Sequence, residues 1–218
     1  MIRVWLVGGS GLVGSGVEAG LAASGTLLSF GRRAPTTGFH RQIDFDTLSD
    51  LAGHGGCDTA ICCLGTTIRA AGSAARMRRV DHDYAVAFAS AARAAGARQC
   101  ILVSSVGADA ASANFYLRLK GETERDVIAA GFERVDIIRP GLLLGERTEF
   151  RLGERLASAV MPIVSPLFIG GLDRYRAIPA RSVAQAIVAL AGAKGRGTAI
   201  HENRAILATT RKSSHRDR

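Results

Sequence analysis

Three residue types in one stretch of the chain could move a proton beside a carbonyl group. Tyr116 and Lys120 stand four positions apart within 114–130, whose pattern predicts a helix, so both project from one face. Ser104 and Ser105 precede the tyrosine by twelve and eleven residues, at the end of an apolar run that reads as a strand. A phenol is a poor base near neutral pH, its ordinary pKa lying near 10. A neighbouring ammonium favours the phenolate and makes such a group competent in acid–base work. In that arrangement Tyr116 gives a proton to a carbonyl oxygen or takes it back, and Ser104 hydrogen-bonds the same oxygen. An exposed Tyr and Lys on an amphipathic helix is the plainer alternative.

A second group of residues suits an anion. The first apolar run, Ile2 to Val7, leads directly into Gly8-Gly9-Ser10-Gly11-Leu12-Val13-Gly14. Gly9, Gly11 and Gly14 satisfy G-x-G-x-x-G, and Gly8, Gly11 and Gly14 equally satisfy G-x-x-G-x-x-G. A strand before the motif and a helix after it is the setting of a dinucleotide-binding turn. One glycine allows the tight turn, a second lets the backbone approach a pyrophosphate, and a third lets helix and strand pack closely. Unpaired N–H groups of Leu12 and Val13 then face the anion, helped by the helix dipole. No Lys-Ser or Lys-Thr follows, which excludes a Walker loop, and no G-x-S-x-G elbow occurs near a strand end.

The second strand, Thr26 to Phe30, runs into Gly31-Arg32-Arg33. A site for NAD places an acid here to hold the ribose 2′-hydroxyl, and no acid lies between Glu18 and Asp44. Two guanidinium groups instead suit a 2′-phosphate, so the expected cofactor is NADP(H). A solvated basic turn is the alternative. Asp44 is a candidate for the adenine amino group. With this cofactor the phenol, hydroxyl and ammonium acquire a hydride donor, and Lys120 would also hold the nicotinamide ribose.

These groups need a scaffold. Apolar runs predict strands over 2–7, 26–30, 42–45, 59–64, 99–103, 135–138 and 198–201. Helical stretches are expected over 12–23, 74–95, 114–130 and 183–190. Strands alternating with helices imply right-handed crossovers and a parallel sheet covered on both faces, the doubly wound α/β class or Rossmann fold. Residues 1–203 read as one dinucleotide-binding domain. Within it, 147–182 breaks the rhythm as an irregular segment on the substrate side. Residues 204–218 read as a polar basic tail without fixed structure.

Composition limits the remaining classes. The 218 residues carry a net charge of +9, yet all but three of the 28 basic residues are arginine and they are scattered. That favours a compositional bias over a nucleic-acid face, and no nucleic-acid module is recognisable. No apolar run reaches the roughly 18 residues of a membrane helix, and the N-terminal run is too short for a signal h-region. The expected compartment is the cytoplasm, with no nucleic acid and no membrane as partner. Cys57, Cys62, Cys63 and Cys100 lack metal or disulfide spacing and read as buried free thiols, so no metal is expected.

The ordered set GGSGLVG, GRR, CCLGTT, VDHDY, LVSSVGAD, NFYLRLKGETE and RPGLLLGER resembles an atypical short-chain dehydrogenase/reductase. It is most similar to the Tat-interacting oxidoreductase-like branch, whose bacterial relatives are labelled nucleoside-diphosphate-sugar epimerases. The resemblance spans roughly residues 4 to 151 and continues more weakly to about 203. It implies that Ser10, Gly11, Leu12 and Val13 line the pyrophosphate and that Arg32 and Arg33 meet the 2′-phosphate. Leu64 and Gly65 would pass beneath the adenosine side, and Tyr116 and Lys120 would meet the nicotinamide ribose. Leu143 would border the nicotinamide, and Arg151 would reach the cofactor. One departure stands out: the asparagine of many such enzymes is not identifiable, and Asp81 and Asp83 lie in the relevant helix instead.

Three functions follow in order. The first is an NADP(H)-dependent oxidoreductase acting on a small carbonyl or alcohol through Tyr116. The second is a non-catalytic NADPH-binding redox sensor that presents a surface to a protein partner. The third is a nucleoside-diphosphate-sugar epimerase or dehydratase, ranked last because only about 70 residues follow Pro140 to hold a sugar nucleotide.

Overall fold

The computed structural model describes residues 2–24, 26–32, 39–145 and 170–214. Arg33, Arg151 and most of the segment 147–182 lie outside the described residues. The central strands are apolar runs buried on both faces: β1 (Val4–Val7), β4 (Thr59–Cys62) and β5 (Gln99–Val103). With β2 (Leu27–Gly31), β3 (His40–Gln42), β6 (Arg134–Arg139) and β9 (Gly197–Glu202) they form a parallel sheet of order β3-β2-β1-β4-β5-β6-β9. The order reverses between β1 and β4. That is the topological switch point, where folds of this class open a crevice at the carboxyl ends of their strands. A separate parallel pair joins β7 (Leu143–Leu144) to β8 (Ile178–Pro179).

The helices are α1 (Gly14–Leu21), α2 (Ile68–Ala71), α3 (Ala74–Arg78), α4 (Tyr84–Ala94), α5 (Phe115–Ala129), α6 (Ala180–Leu190) and α7 (Asn203–Ser214). On one face of the sheet Trp5, Phe30, Cys100 and Leu102 pack against Phe88 and Ala89 of α4 and Val127 of α5. On the other, Leu6, Ile101 and Ile138 meet Val17 of α1 and Ile187 of α6. Each large aliphatic side chain fully buried here contributes about 1.5–3 kcal/mol of transfer free energy. Among the described residues, no helix is long and apolar enough to cross a membrane.

Several elements differ from expectation, each for a local reason. The third strand is His40–Gln42, and not 42–45. Asp44 accepts a hydrogen bond from the N–H of Asp46 at 2.9 Å and caps a 3₁₀ segment running from Phe45 to His54. The Ala-rich stretch 74–95 is helical throughout, but α3 and α4 are joined by a π-helical turn over Arg79–Asp83.

The segment expected to be irregular is regular from Gly170 onward: a 3₁₀ turn to Tyr175, then β8, then α6 beginning at Ala180. The expected tail from 204 is instead α7 as far as Ser214. Ile206 is fully buried in the α1–α6 layer and anchors it. Asn203 ties this helix to the strand ends, accepting from Gly141 N–H at 2.9 Å and donating to the Arg176 carbonyl at 2.7 Å.

All four cysteines are free thiols, and Cys57, Cys62 and Cys100 are buried. Burial pushes the Cys57 thiol up to about 12 and that of Cys62 to about 11, which leaves them protonated and inert.

Candidate functional site

At the end of β1 the chain turns at Gly8 with φ +81°, and Gly11 N–H closes the turn on the Gly8 carbonyl at 3.0 Å. A Cβ on Gly8 would lie 2.5 Å from the Cys63 carbonyl, and one on Gly14 would lie 2.1 Å from the Gly8 oxygen. Both positions exclude any side chain, so G-x-x-G-x-x-G is the spelling that the packing enforces. Gly9 is close-packed as well, with Glu18 and Ser29 each 2.8 Å from where its Cβ would stand. Ser10 and Gly11 are exposed, Leu12 half-buried and Val13 buried. Among the described residues no side chain caps the start of α1; Ser15 N–H bonds the Gly11 carbonyl at 2.9 Å, and the N–H groups just before it are left for an anion.

The end of β4 supplies the adjacent wall. Gly65 is exposed, and a Cβ there would stand 3.9 Å from both Asp81 Oδ2 and Lys120 Nζ. Lys120 is 5% exposed, and its ammonium lies 2.8 Å from the carboxylate of Asp81, which is 1% exposed. The other carboxylate oxygen accepts from Thr66 N–H at 2.7 Å. Asp81 therefore clamps the lysine to the loop that follows β4. Burial alone would lower the lysine's pKa; Asp81 and Tyr116 outweigh it and hold the ammonium above its ordinary value. The ammonium sits 6.0 Å from the centre of the Tyr116 ring, and Tyr116 is 38% exposed. The phenol and ammonium thus share one face of α5, with the ammonium beside Gly65 at the end of β4. Asp81 is the member of the cluster without a role in the sequence reading, which noted it only beside Asp83 in the Ala-rich helix.

Ser104 does not join them freely. Its hydroxyl is buried and donates to Glu124 of α5, which also accepts from Arg139 Nε at 2.9 Å. A hydroxyl has one proton to give, and this one is used inside the protein. Ser105 is half-buried; its carbonyl accepts from Ala108 N–H at 3.1 Å, and its hydroxyl donates to the Val106 carbonyl over a long 3.4 Å. Its proton is held only by that long bond, so a substrate oxygen can take it over.

At the far end, Arg32 is exposed, with no carboxylate at ion-pair distance among the described residues, and its carbonyl accepts from Gln42. Asp44, a candidate for adenine, already uses one oxygen as a helix cap. Leu64 is half-buried after β4. Leu143 pairs with Ile178, and Gly145 just beyond it packs on Leu12, its Cβ position 2.6 Å from that side chain. The β7 turn therefore reaches the glycine loop. Arg33 and Arg151 lie outside the described residues.

Three further polar atoms, Glu18 Oε1, Ser29 Oγ and His40 Nε2, are buried without a hydrogen-bond partner among the described residues. All three adjoin Gly9 or Gly31. A glycine cradle with open N–H groups and unpaired polar atoms beside it fits a dinucleotide phosphate and ribose.

The chain is similar to known proteins. Protein HTATIP2 of Rattus norvegicus is 38% identical over 167 residues, 76% of this chain and 67% of that protein. Protein fmp52, mitochondrial, of Aspergillus fumigatus is 36% identical over 191 residues, 80% of this chain and 81% of that one. With counterparts from Emericella nidulans and Candida albicans the match covers only 42% and 45% of their length.

Among solved structures, MoeE5 in complex with UDP-glucose and NAD superposes with a TM-score of 0.68 at 17% identity, covering 98% of this chain and 82% of that one. The human epimerase family protein SDR39U1 with NADPH gives 0.62 at 20% identity, covering 92% and 74%. These likenesses establish a Rossmann-like fold. No protein-family model matches the chain. The cytoplasmic expectation finds no support in the fungal relatives, whose names place them in mitochondria.

Proposed function

Since the chain belongs to the HTATIP2/FMP52 family, we propose that it binds NADP(H) and reduces a small carbonyl compound, or oxidises the matching alcohol, with Tyr116 as the acid–base group. The observation that carries this reading is the convergence of Tyr116, the buried Lys120 and the glycine turn at one set of strand ends. When bound, the nicotinamide supplies or takes up a hydride. The chain's own residues do the rest. The N–H groups at the start of α1 and the turn Gly8–Gly14 hold the pyrophosphate. Arg32, with Arg33, meets a 2′-phosphate.

Lys120, kept charged by Asp81, faces the Tyr116 ring and donates to the ribose. Tyr116 Oη gives a proton to the substrate oxygen in reduction and removes it in oxidation. Ser105 takes the role that the sequence assigned to Ser104, since the Ser104 proton is held by Glu124.

The test is a fluorescence titration with NADPH and NADH on the wild type and on the Arg32→Ala/Arg33→Ala variant, followed by a carbonyl screen with wild type and Tyr116→Phe. Preference for NADPH that is lost in the double variant, and turnover abolished in Tyr116→Phe, are expected. Absence of binding to either dinucleotide would sink the reading.

A second reading is a non-catalytic NADPH-binding sensor acting on a protein partner. It draws on the engagement of Ser104 and on the ion pair that stands where many relatives of this fold have an asparagine. Its mark is a partner affinity that changes with NADPH, reciprocally with the dinucleotide's own affinity. The epimerase or dehydratase reading has the names of the fold neighbours in its favour, and activity on a nucleotide sugar would be its sign.

A further inference from the structure

We infer that Glu18 is the acid that reads the adenosine 2′-position in this protein, with His40 as its modulator, so that α1 supplies what the end of β2 lacks. The inference rests on the dinucleotide reading above. In this fold class the acid that selects a free ribose hydroxyl stands at the tip of β2. Here that tip is Gly31-Arg32, and no carboxylate follows until Asp44.

The structure nonetheless brings a buried carboxylate oxygen to the neighbouring end of β1. Glu18, one turn into α1 from Gly14, carries Oε1 to within 2.8 Å of where a Cβ on Gly9 would stand, at the end of β1. Ser29 Oγ lies at the same distance from that point, on a fully buried β2 residue. His40, paired with Ser29 across β2 and β3, sets Nδ1 3.9 Å from Glu18 Oε1. Its ring fills the space beside Gly31, with Nε2 3.2 Å from that residue's Cβ position.

Glu18 Oε1, Ser29 Oγ and His40 Nε2 all lack hydrogen-bond partners among the described residues. Buried polar atoms are paired in the great majority of folded proteins, and three orphans in one spot mark a place where a polar partner belongs. They underlie the ends of β1 and β2, where the adenosine ribose crosses.

The arrangement sets two opposing charges around that ribose. Glu18 accepts from a free 2′-hydroxyl and repels a 2′-phosphate from below, while the exposed Arg32 attracts the phosphate from the solvent side. The His40 imidazole, 3.9 Å from Glu18 Oε1, tempers that carboxylate. The predicted outcome is a protein that takes both dinucleotides, its preference for NADPH held down by Glu18.

The experiment compares dissociation constants for NADPH and NADH in wild type, Glu18→Gln, Glu18→Asp and His40→Gln, each checked for an unchanged far-ultraviolet spectrum. Glu18→Gln should shift the NADH-to-NADPH ratio about tenfold toward NADPH, and His40→Gln should shift it the other way. Glu18→Asp keeps the charge and should stay near wild type. If Glu18→Gln does not fold, the opposite shift in His40→Gln alone decides. A ratio unchanged within twofold in every folded variant overturns the inference. So does an equal weakening of both dinucleotides, the mark of a purely structural role. Wild type that binds neither dinucleotide overturns the parent reading and this one with it, and is told apart because no variant is then needed.

Discussion

Asp81 Oδ2 and Lys120 Nζ lie 2.8 Å apart in the interior, on two helical segments 39 positions apart in sequence, and the same carboxylate holds the N–H of Thr66. A buried pair of this kind is weak evidence of net stability, but breaking it is costly because one charge is left without its partner. Asp81→Ala should therefore cost about 3–5 kcal/mol in urea unfolding, and Lys120→Met a similar amount. The double variant Asp81→Ala/Lys120→Met should be less destabilised than the sum of the two singles. Additive costs would mean that the two groups do not interact.

Tyr116 is the separable member of the site. It is 38% exposed and its removal opens no cavity, so Tyr116→Phe should hold stability within about 0.5 kcal/mol. It should also bind NADPH as the wild type does. Turnover of any carbonyl substrate found should fall at least about 100-fold. Turnover within a factor of two of wild type would remove Tyr116 from the chemistry.

The two strand-end serines make opposite predictions. Ser104→Ala removes a donor from the buried Glu124 and should cost about 1–3 kcal/mol in stability. Ser105→Ala should leave stability nearly unchanged and lower kcat by about 10- to 100-fold. The reverse pattern would restore Ser104 as the substrate-facing hydroxyl.

Glycines test the cradle against open ground. Gly14→Ala drives a methyl into the Gly8 carbonyl and should cost about 1–3 kcal/mol together with dinucleotide affinity. Gly53→Ala has nothing within 4 Å of the new methyl and should be neutral or slightly stabilising in a thermal melt.

Acid stability should report on Asp136. It is fully buried, and burial alone would raise its carboxyl pKa. Hydrogen bonds from His201, Arg134 and Gln99 more than reverse that and hold it at about 2. The folded value lies below the unfolded one, so this stabilisation is complete above about pH 4 and is lost as pH falls toward 2. Its size is about 2 kcal/mol. Urea midpoints between pH 5 and 2 should drop more steeply in wild type than in Asp136→Asn.

How much of this was legible in the chain depends on the range of the interaction. β5 matches its predicted run residue for residue, because the apolar run Cys100–Val103 is bounded by Gly96 on one side and Ser104 on the other. The helix bearing Tyr116 starts one residue after Asn114, whose side chain caps it by accepting from Leu117 N–H at 3.1 Å. Asp44 misled because its capping role competes with an apolar strand-like neighbourhood in Ile43 and Phe45. The Asp81–Lys120 clamp, the Ser104–Glu124 bond and the Glu18–Ser29–His40 group join residues between 11 and 39 positions apart, or across three elements. No periodicity encodes such contacts. They exist only once the sheet order is set.

The turn over Arg79–Asp83 has an evolutionary and engineering meaning of its own. A π turn is an α-helix that has accommodated about one extra residue, and each residue of an α-helix advances the face by about 100°. Deleting one residue between α3 and α4 would let the whole stretch wind as an ordinary helix, with better backbone bonding. It would also swing Asp81 away from the ammonium it now meets while the helix persisted. The insertion thus reads as a phase adjuster: it sets the angular position of one carboxylate independently of the packing of Phe88 and Ala89 further along.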